Sequence, residues 1–323
     1  MSALDIPLIM SPETVASHGA MVQIMTLIGF VALVYDHILT FADEVNYIWE
    51  ARAGLVSTLF LLNRYIVPLV LVVDLYEMFG LANDSGKFCK VWTALQSFLT
   101  VASFLSIHSI VAMRVHALYS GTRWIKVFLW TVGTLYAASS ITIIIVAGVR
   151  VIPHIEPPHH GCVGAIPSYL WTAWLPSIIF ETILFGLTVN AMLIQDRRRS
   201  FNTLTLILYR DGIFFFVAVA FCSLFSLLVW ALADPTLLGL ARYFALAMVN
   251  VAASRLVLNL KAYAGHKRNP STVWHVTAPA PPVDRAPQAP SPGFEFVSTN
   301  TSAFDLEMYD IERSCQQLGT RLH

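Results

Sequence analysis

Seven apolar stretches, each about long enough to cross a bilayer, leave this chain little choice of architecture. A helix needs roughly 20 mainly apolar residues to span the hydrocarbon core. The stretches run from about Ser17 to Val34, Leu55 to Tyr76, Trp92 to Leu118, Trp124 to Val149, Tyr169 to Leu193, Gly212 to Ala233 and Leu237 to Leu260. Several have no polar face, so a soluble helix packing is excluded. Only Asp234 and Pro235 separate the last two, and a proline there favours a tight turn over a continuous helix.

Composition agrees. Charged residues make up 12% of the 323 and apolar ones 56%, where an average soluble chain carries about 25% charged residues. The formal net charge is zero, which gives no basic face for nucleic acid. The expected fold is all-α, a bundle of about seven transmembrane helices spanning 17–262. A short N-terminal segment (1–16) precedes it and a Pro-rich tail (263–323) follows it. The first span carries no preceding Lys or Arg and no clear small-residue cleavage site, so it reads as a retained helix rather than a signal peptide.

Lys and Arg accumulate on the cytoplasmic side of membrane proteins. Alternate connections separate well. One side holds Arg52, Arg114, Arg123, Lys126, Arg197, Arg198, Arg199, Arg210, Lys261, Lys267 and Arg268; the other has Lys87, Lys90, Arg150 and Arg242. The expected orientation puts the N-terminus outside and the tail in the cytoplasm. Cys89 and Cys162 then face the oxidising side and form a candidate disulfide, with two unpaired thiols as the alternative. Asn83 heads an external Asn-Asp-Ser sequon, a candidate glycosylation site.

The connection after the first span reads VYDHILTFADEVNYIWEARAG and leads into LVSTLFLLNRYIVPL. Tyr35 and Asp36, the pair Asp43 and Glu44, Trp49, and Asn63, Arg64 and Tyr65 form a spaced pattern. It resembles the fungal membrane-protein family called domain of unknown function 6533, over roughly residues 31–70. The resemblance implies a fungal multi-spanning protein and supplies no chemistry. Read from the residues themselves, Thr40 and Asp43 have capping-box spacing. A short helix from Phe41 would lie along the membrane surface, with Ile38, Phe41, Val45, Ile48 and Trp49 near one face. It is either a shaped connector or a partner-docking surface. Its acidic pair would meet water, Arg52 or Arg64.

Ionisable residues inside spans are expensive and each raises a functional question. Arg64 has Asp43, Glu44 or Asn250 as candidate partners and serves as a structural clamp or a substrate site. Asp74 and Glu77 lie toward the external end, where a solvated mouth is expected. Glu181, near the centre of the fifth span, should meet His108 on the third. That contact is either a proton-coupled or ligand-gripping site, or one buried hydrogen bond holding helices. Asn190, Asn250 and Asn259 read as interhelical glue. No HExxH, P-loop, GxSxG or Cys/His ligand spacing is present, so neither an enzyme nor a cofactor nor a metal site is expected. His154, His159 and His160 form only a loop cluster.

Three functions remain. A receptor-like sensor is favoured by helix number, orientation, the cysteine pair and the basic 195–210 loop, an architecture that resembles G-protein-coupled receptors. Of their third-helix motif only Arg114 matches, and their Asn-Pro-x-x-Tyr is absent. A proton-coupled transporter would use Glu181, His108 and Arg64, although no inverted repeat is visible. A membrane scaffold would use the tail, where Phe304, Met308, Ile311 and Cys315 recur at helical spacing. Expected partners are the lipid bilayer and a cytoplasmic protein at the 195–210 loop or the tail, with the plasma membrane as the expected location.

Overall fold

The computed structural model describes residues 12–49, 54–81, 86–119, 122–154, 168–197 and 203–268. Cys162, Asn83, Arg52, Arg198, Arg199, His159, His160 and the tail from residue 269 lie outside the described residues. The chain runs through α1 (Pro12–Leu39), a short α2 (Phe41–Glu44) that passes into a π turn at Val45–Trp49, and α3 (Leu55–Met78). It continues through α4 (Gly86–Leu118), α5 (Arg123–Val151), α6 (Leu175–Arg197), α7 (Thr203–Leu232) and α8 (Leu238–Arg268). All but α2 are long and apolar enough to cross a membrane, and no strand occurs among the described residues.

The expected spans are all present, and most are longer than their apolar runs. Helices continue past the hydrocarbon core wherever backbone hydrogen bonding within the helix is the cheapest way to satisfy N–H and C=O groups. The extension of α1 to Leu39 is the largest consequence, because Tyr35 and Asp36 sit in its last turns rather than in a loop. Between α7 and α8 the expected tight turn is a 3₁₀ turn at Pro235–Leu237, closed by the Leu237 N–H donating to the Asp234 carbonyl at 2.9 Å.

The seven helices close into a ring. Each packs on its neighbours in the order α1, α3, α4, α5, α6, α7, α8, and α8 returns to α1. Helix α4 also touches α6 and α8, which places it toward the middle. Leu71, Ile107, Val111, Leu184, Val219 and Leu246 form the interior of the packed core. The outside is apolar as well: Leu69, Phe214 and Leu232 are 65%, 66% and 81% exposed. A soluble protein rarely shows so much contiguous apolar surface. A bundle whose outer face is as oily as its core is built for lipid, and the chain is a multi-pass membrane protein.

Without a hydrophobic drive between helices in lipid, close approach depends on small residues and dispersion contacts. The α1–α8 seam uses this device. Ala247 is fully buried on α8. A Cβ on Gly29 would stand 3.1 Å from the Ala247 Cβ and 3.6 Å from the Phe244 backbone. Gly29→Val should therefore force the two helices apart and cost about 1–3 kcal/mol, the usual range for overpacking. Thermal unfolding in mild detergent checks this, with Gly19→Val as the control, since nothing lies within 4 Å of a Cβ there.

Candidate functional site

Three polar centres sit inside the bundle, at different depths. The first lies where α1 ends and α3 begins, called here the motif face. The Arg64 Nε donates to Glu44 Oε2 at 2.6 Å, and both side chains are almost completely buried. The Arg64 Nη2 donates to Thr40 Oγ1 at 2.7 Å and to the His37 carbonyl at 3.1 Å. Glu44 Oε1 accepts from the Tyr65 hydroxyl at 2.9 Å and from Trp49 Nε1 at 3.0 Å. A buried ion pair is tolerable when its remaining donors and acceptors are largely satisfied, and here both Glu44 oxygens and three of the five Arg64 N–H groups have partners. Asp36 extends the centre sideways by accepting from Arg255 Nε of α8 at 2.6 Å.

This geometry sorts the spaced motif. Asp36, Glu44, Trp49, Arg64 and Tyr65 form one hydrogen-bonded clamp joining α1, α2, α3 and α8. Tyr35 and Asp43 are exposed and lie outside it. Asn63 bonds back to the Leu59 carbonyl of its own helix at 3.3 Å.

The acidic pair divides: Asp43 is exposed, while Glu44, about 100° further round the same helical turn, is fully buried and meets Arg64, one of the partners expected for it. Three expectations are corrected. The capping box does not form, since Thr40 Oγ1 donates instead to the Asp36 carbonyl at 2.7 Å and makes no cap bond. Arg64 does not reach Asn250, which donates to Ser103 Oγ and to its own helix's Leu246 carbonyl. The five apolar positions of the connector do not share one face either, with Ile48 buried and Ile38 and Trp49 exposed.

The second centre lies at mid-depth. Glu181 Oε1 accepts from Ser177 Oγ at 2.8 Å and Ser223 Oγ at 3.0 Å, and lies 3.2 Å from His108 Nε2. The other ring nitrogen, Nδ1, is 2.8 Å from the Tyr136 hydroxyl. One proton arrangement satisfies every contact: Nε2–H donates to Glu181, and Nδ1 accepts from Tyr136. Phe104, Tyr136 and Phe180 ring His108 with centroids 5.2–6.2 Å away. The sequence anticipated the Glu181–His108 contact but not Tyr136, Ser177 or Ser223. Ser177 was the accessible one, lying one helical turn before Glu181 on the same face. Tyr136 and Ser223 arrive from other helices and leave no local signal. Together the centre joins α4, α5, α6 and α7.

The third centre faces the opposite end. Asp74 is fully buried and its Oδ1 accepts from Trp92 Nε1 at 2.9 Å and Gln96 Nε2 at 2.5 Å. Gln96 also donates to the Tyr243 hydroxyl at 2.8 Å, and Arg242 reaches Thr100 Oγ1 at 3.2 Å. The expected solvated mouth around Asp74 is therefore wrong: aromatic and amide side chains of α4 and α8 close over the carboxylate. Cys89, next to this centre, is disulfide-bonded, and its expected partner Cys162 lies outside the described residues. Cys222, inside the sixth span, is a buried free thiol. Among the glue residues, Asn190 donates to the Tyr119 hydroxyl at 3.0 Å, linking α6 to α4. No group of three metal-ligating side chains occurs among the described residues.

Ring, clamp and centres define a seven-helix membrane protein. Residues 25–69 match the model of a family of unknown function, DUF6533, which bears out the resemblance carried by Tyr35 to Tyr65. The matched stretch is the second half of α1, the connector and the first half of α3, so it contains most of the clamp and none of the Glu181 centre. No curated protein and no solved structure matches the chain.

Removing one partner of a buried pair strands the other charge. Glu44→Ala should lower stability by about 3–5 kcal/mol. Glu44→Leu combined with Arg64→Met should cost much less than that single change, because no charge is left alone. Asp43→Ala should fall within about 0.5 kcal/mol of the parent. Denaturant unfolding in micelles, followed by tryptophan fluorescence, compares the four proteins.

Proposed function

We propose that the chain is a receptor-like sensor of the membrane, with Glu181 as its sensing group and the basic 195–210 segment as its output. One observation carries the reading. A single carboxylate oxygen collects contacts from His108 on α4, Ser177 on α6 and Ser223 on α7, and reaches Tyr136 on α5 through His108. Any ligand or charge change at that atom alters contacts to three other helices at once. Packed helices respond to such changes by shifting between discrete arrangements rather than bending continuously.

The output side is supported by geometry at the motif face. There α4 and α7 meet: a Cβ on Gly212 would fall 2.9 Å from Arg114 Nη2. The Tyr119 hydroxyl bonds the Leu187 carbonyl of α6 at 2.8 Å. Helices gathered at the Glu181 centre are thus also in contact where the 195–210 connection emerges. The positive-inside bias makes this face cytoplasmic and the N-terminus external. We assign the protein to the plasma membrane, without catalytic activity. A proton-coupled carrier is the second reading, favoured by the direct His108–Glu181 contact across two helices.

The test uses purified protein in liposomes and tagged protein in lightly cross-linked native membranes. Liposomes containing the protein should hold an imposed pH gradient as long as empty ones do. In membranes, Glu181→Gln should change recovery of a cytoplasmic partner by about fivefold or more, the lower end of ordinary allosteric coupling. Alanine at Arg197, Arg198 and Arg199 should abolish that recovery. A proton leak that Glu181→Gln removes would replace the sensor with the carrier. Partner recovery indifferent to Glu181 would also overturn it.

A further inference from the structure

The Glu181 centre is not sealed on every side. A cleft of about 260 Å³ lies between α6 and α7, with Glu181, Ser223 and Phe216 as its buried floor. Its rim includes Phe185, Val217 and Leu224, which are 38%, 57% and 49% exposed. These rim residues belong to membrane-spanning segments, so the cleft opens sideways to the acyl chains.

An occupant must satisfy two physical demands. The first is polar. All three contacts of Glu181 fall on Oε1, which leaves Oε2 as an acceptor for whatever enters. Both serine hydroxyls already donate to Oε1, so the floor asks for a hydrogen-bond donor. An acyl chain supplies none, and leaving a buried acceptor unmet is costly. The second demand is apolar. Pockets that enclose a small ligand usually hold about 300–1,000 Å³. This one is smaller and open, so it grips one end of a molecule whose remainder stays among the lipids.

We propose that this cleft binds a lipid alcohol: a long apolar body that partitions into the bilayer, with one hydroxyl donating to Glu181 Oε2. Entry is lateral, between α6 and α7. The inference rests on the sensor reading for its consequence and on the cleft alone for its binding. Bound there, the hydroxyl changes the electron density on the same carboxylate that His108 and Ser223 contact.

The experiment uses liposomes carrying the full-length protein and a long-chain alcohol with a photoreactive diazirine in its chain, beside the methyl ether of the same compound. After illumination, labelled peptides are mapped by mass spectrometry. The alcohol should label residues 178–185 and 216–224, and unlabelled alcohol should compete. The ether should label there about tenfold less, corresponding to about 1.4 kcal/mol for the lost donor. In Glu181→Gln the alcohol and ether should label equally, since an amide N–H serves an ether oxygen as well as a hydroxyl. Ala220→Phe fills the cleft from its exposed, lipid-facing side and should remove both signals while leaving the unfolding temperature unchanged.

Equal labelling of the parent by alcohol and ether would overturn the proposal and leave an ordinary acyl-chain groove. Labelling confined to other helices, or a preference that survives Glu181→Gln, would overturn it too. If site labelling behaves as expected while partner recovery ignores added alcohol, the site stands and the sensor reading falls. If recovery responds to Glu181→Gln but the cleft takes no label, the reverse holds.

Discussion

Inside a bilayer every polar group must find its partner within the protein, because the surrounding medium offers none. That constraint organises this molecule more than its hydrophobic content does. Apolar side chains face inward and outward alike and therefore cannot by themselves say which helix touches which. The polar groups can. Arg64 has somewhere to put its guanidinium only if α2 brings Glu44 beneath α3. Glu181 is tolerable only if α4 and α7 deliver His108 and Ser223. Asp74 is tolerable only beside Trp92 and Gln96. Polar centres at three depths fix the order and rotation of the helices, and small residues such as Gly29 and Ala247 then let the seams close.

The centres differ in kind, and the difference separates structure from function. The clamp is turned inward: Arg64 and Glu44 use each other and four further groups, and both side chains are almost completely buried. A network that spends both carboxylate oxygens and most of its guanidinium on protein groups holds shape. Most of its residues fall inside the stretch that matches the family model, and that stretch supplies the parts of α1, α2 and α3 that the clamp joins. The Glu181 centre has an unused acceptor and a cleft leading to it. Unspent hydrogen-bonding capacity at a reachable place is what a binding site consists of.

Much of this was legible in the sequence, for physical reasons. The seven spans follow from run length. The Glu181–His108 contact follows from two costly residues at matching depth. The residues that escaped detection are those whose partners come from far along the chain. Ser223, Tyr136 and Tyr243 look like ordinary core residues until the helices rotate them inward. Glu44 and Asp43 could not be told apart because they are neighbours on one helical turn, and which of them meets Arg64 depends on how α2 sits against α3. Asp74 was misjudged because its distance from the centre of the run suggested water, whereas a tryptophan and a glutamine one turn apart on α4 cover it.

The placement of the open centre has a mechanical consequence. The clamp ties α1, α2, α3 and α8 at the motif face, and the Asp74 centre ties α3, α4 and α8 at the other. Helices α5, α6 and α7 take part in neither. They are held to the rest by the mid-depth centre, by the Tyr119 bonds to α6, by the Trp230 bond to the Leu238 carbonyl and by apolar packing. The molecule thus divides into a pinned half and a half whose mid-depth polar attachment runs through His108 and Glu181. A perturbation at that carboxylate acts on the less tightly secured helices, and the pinned half gives them something rigid to move against. This asymmetry favours α6 and α7, the two walls of the cleft, as the elements that shift. The connection between those same two helices carries the basic run, so motion started at the cleft has the shortest covalent path to the membrane surface.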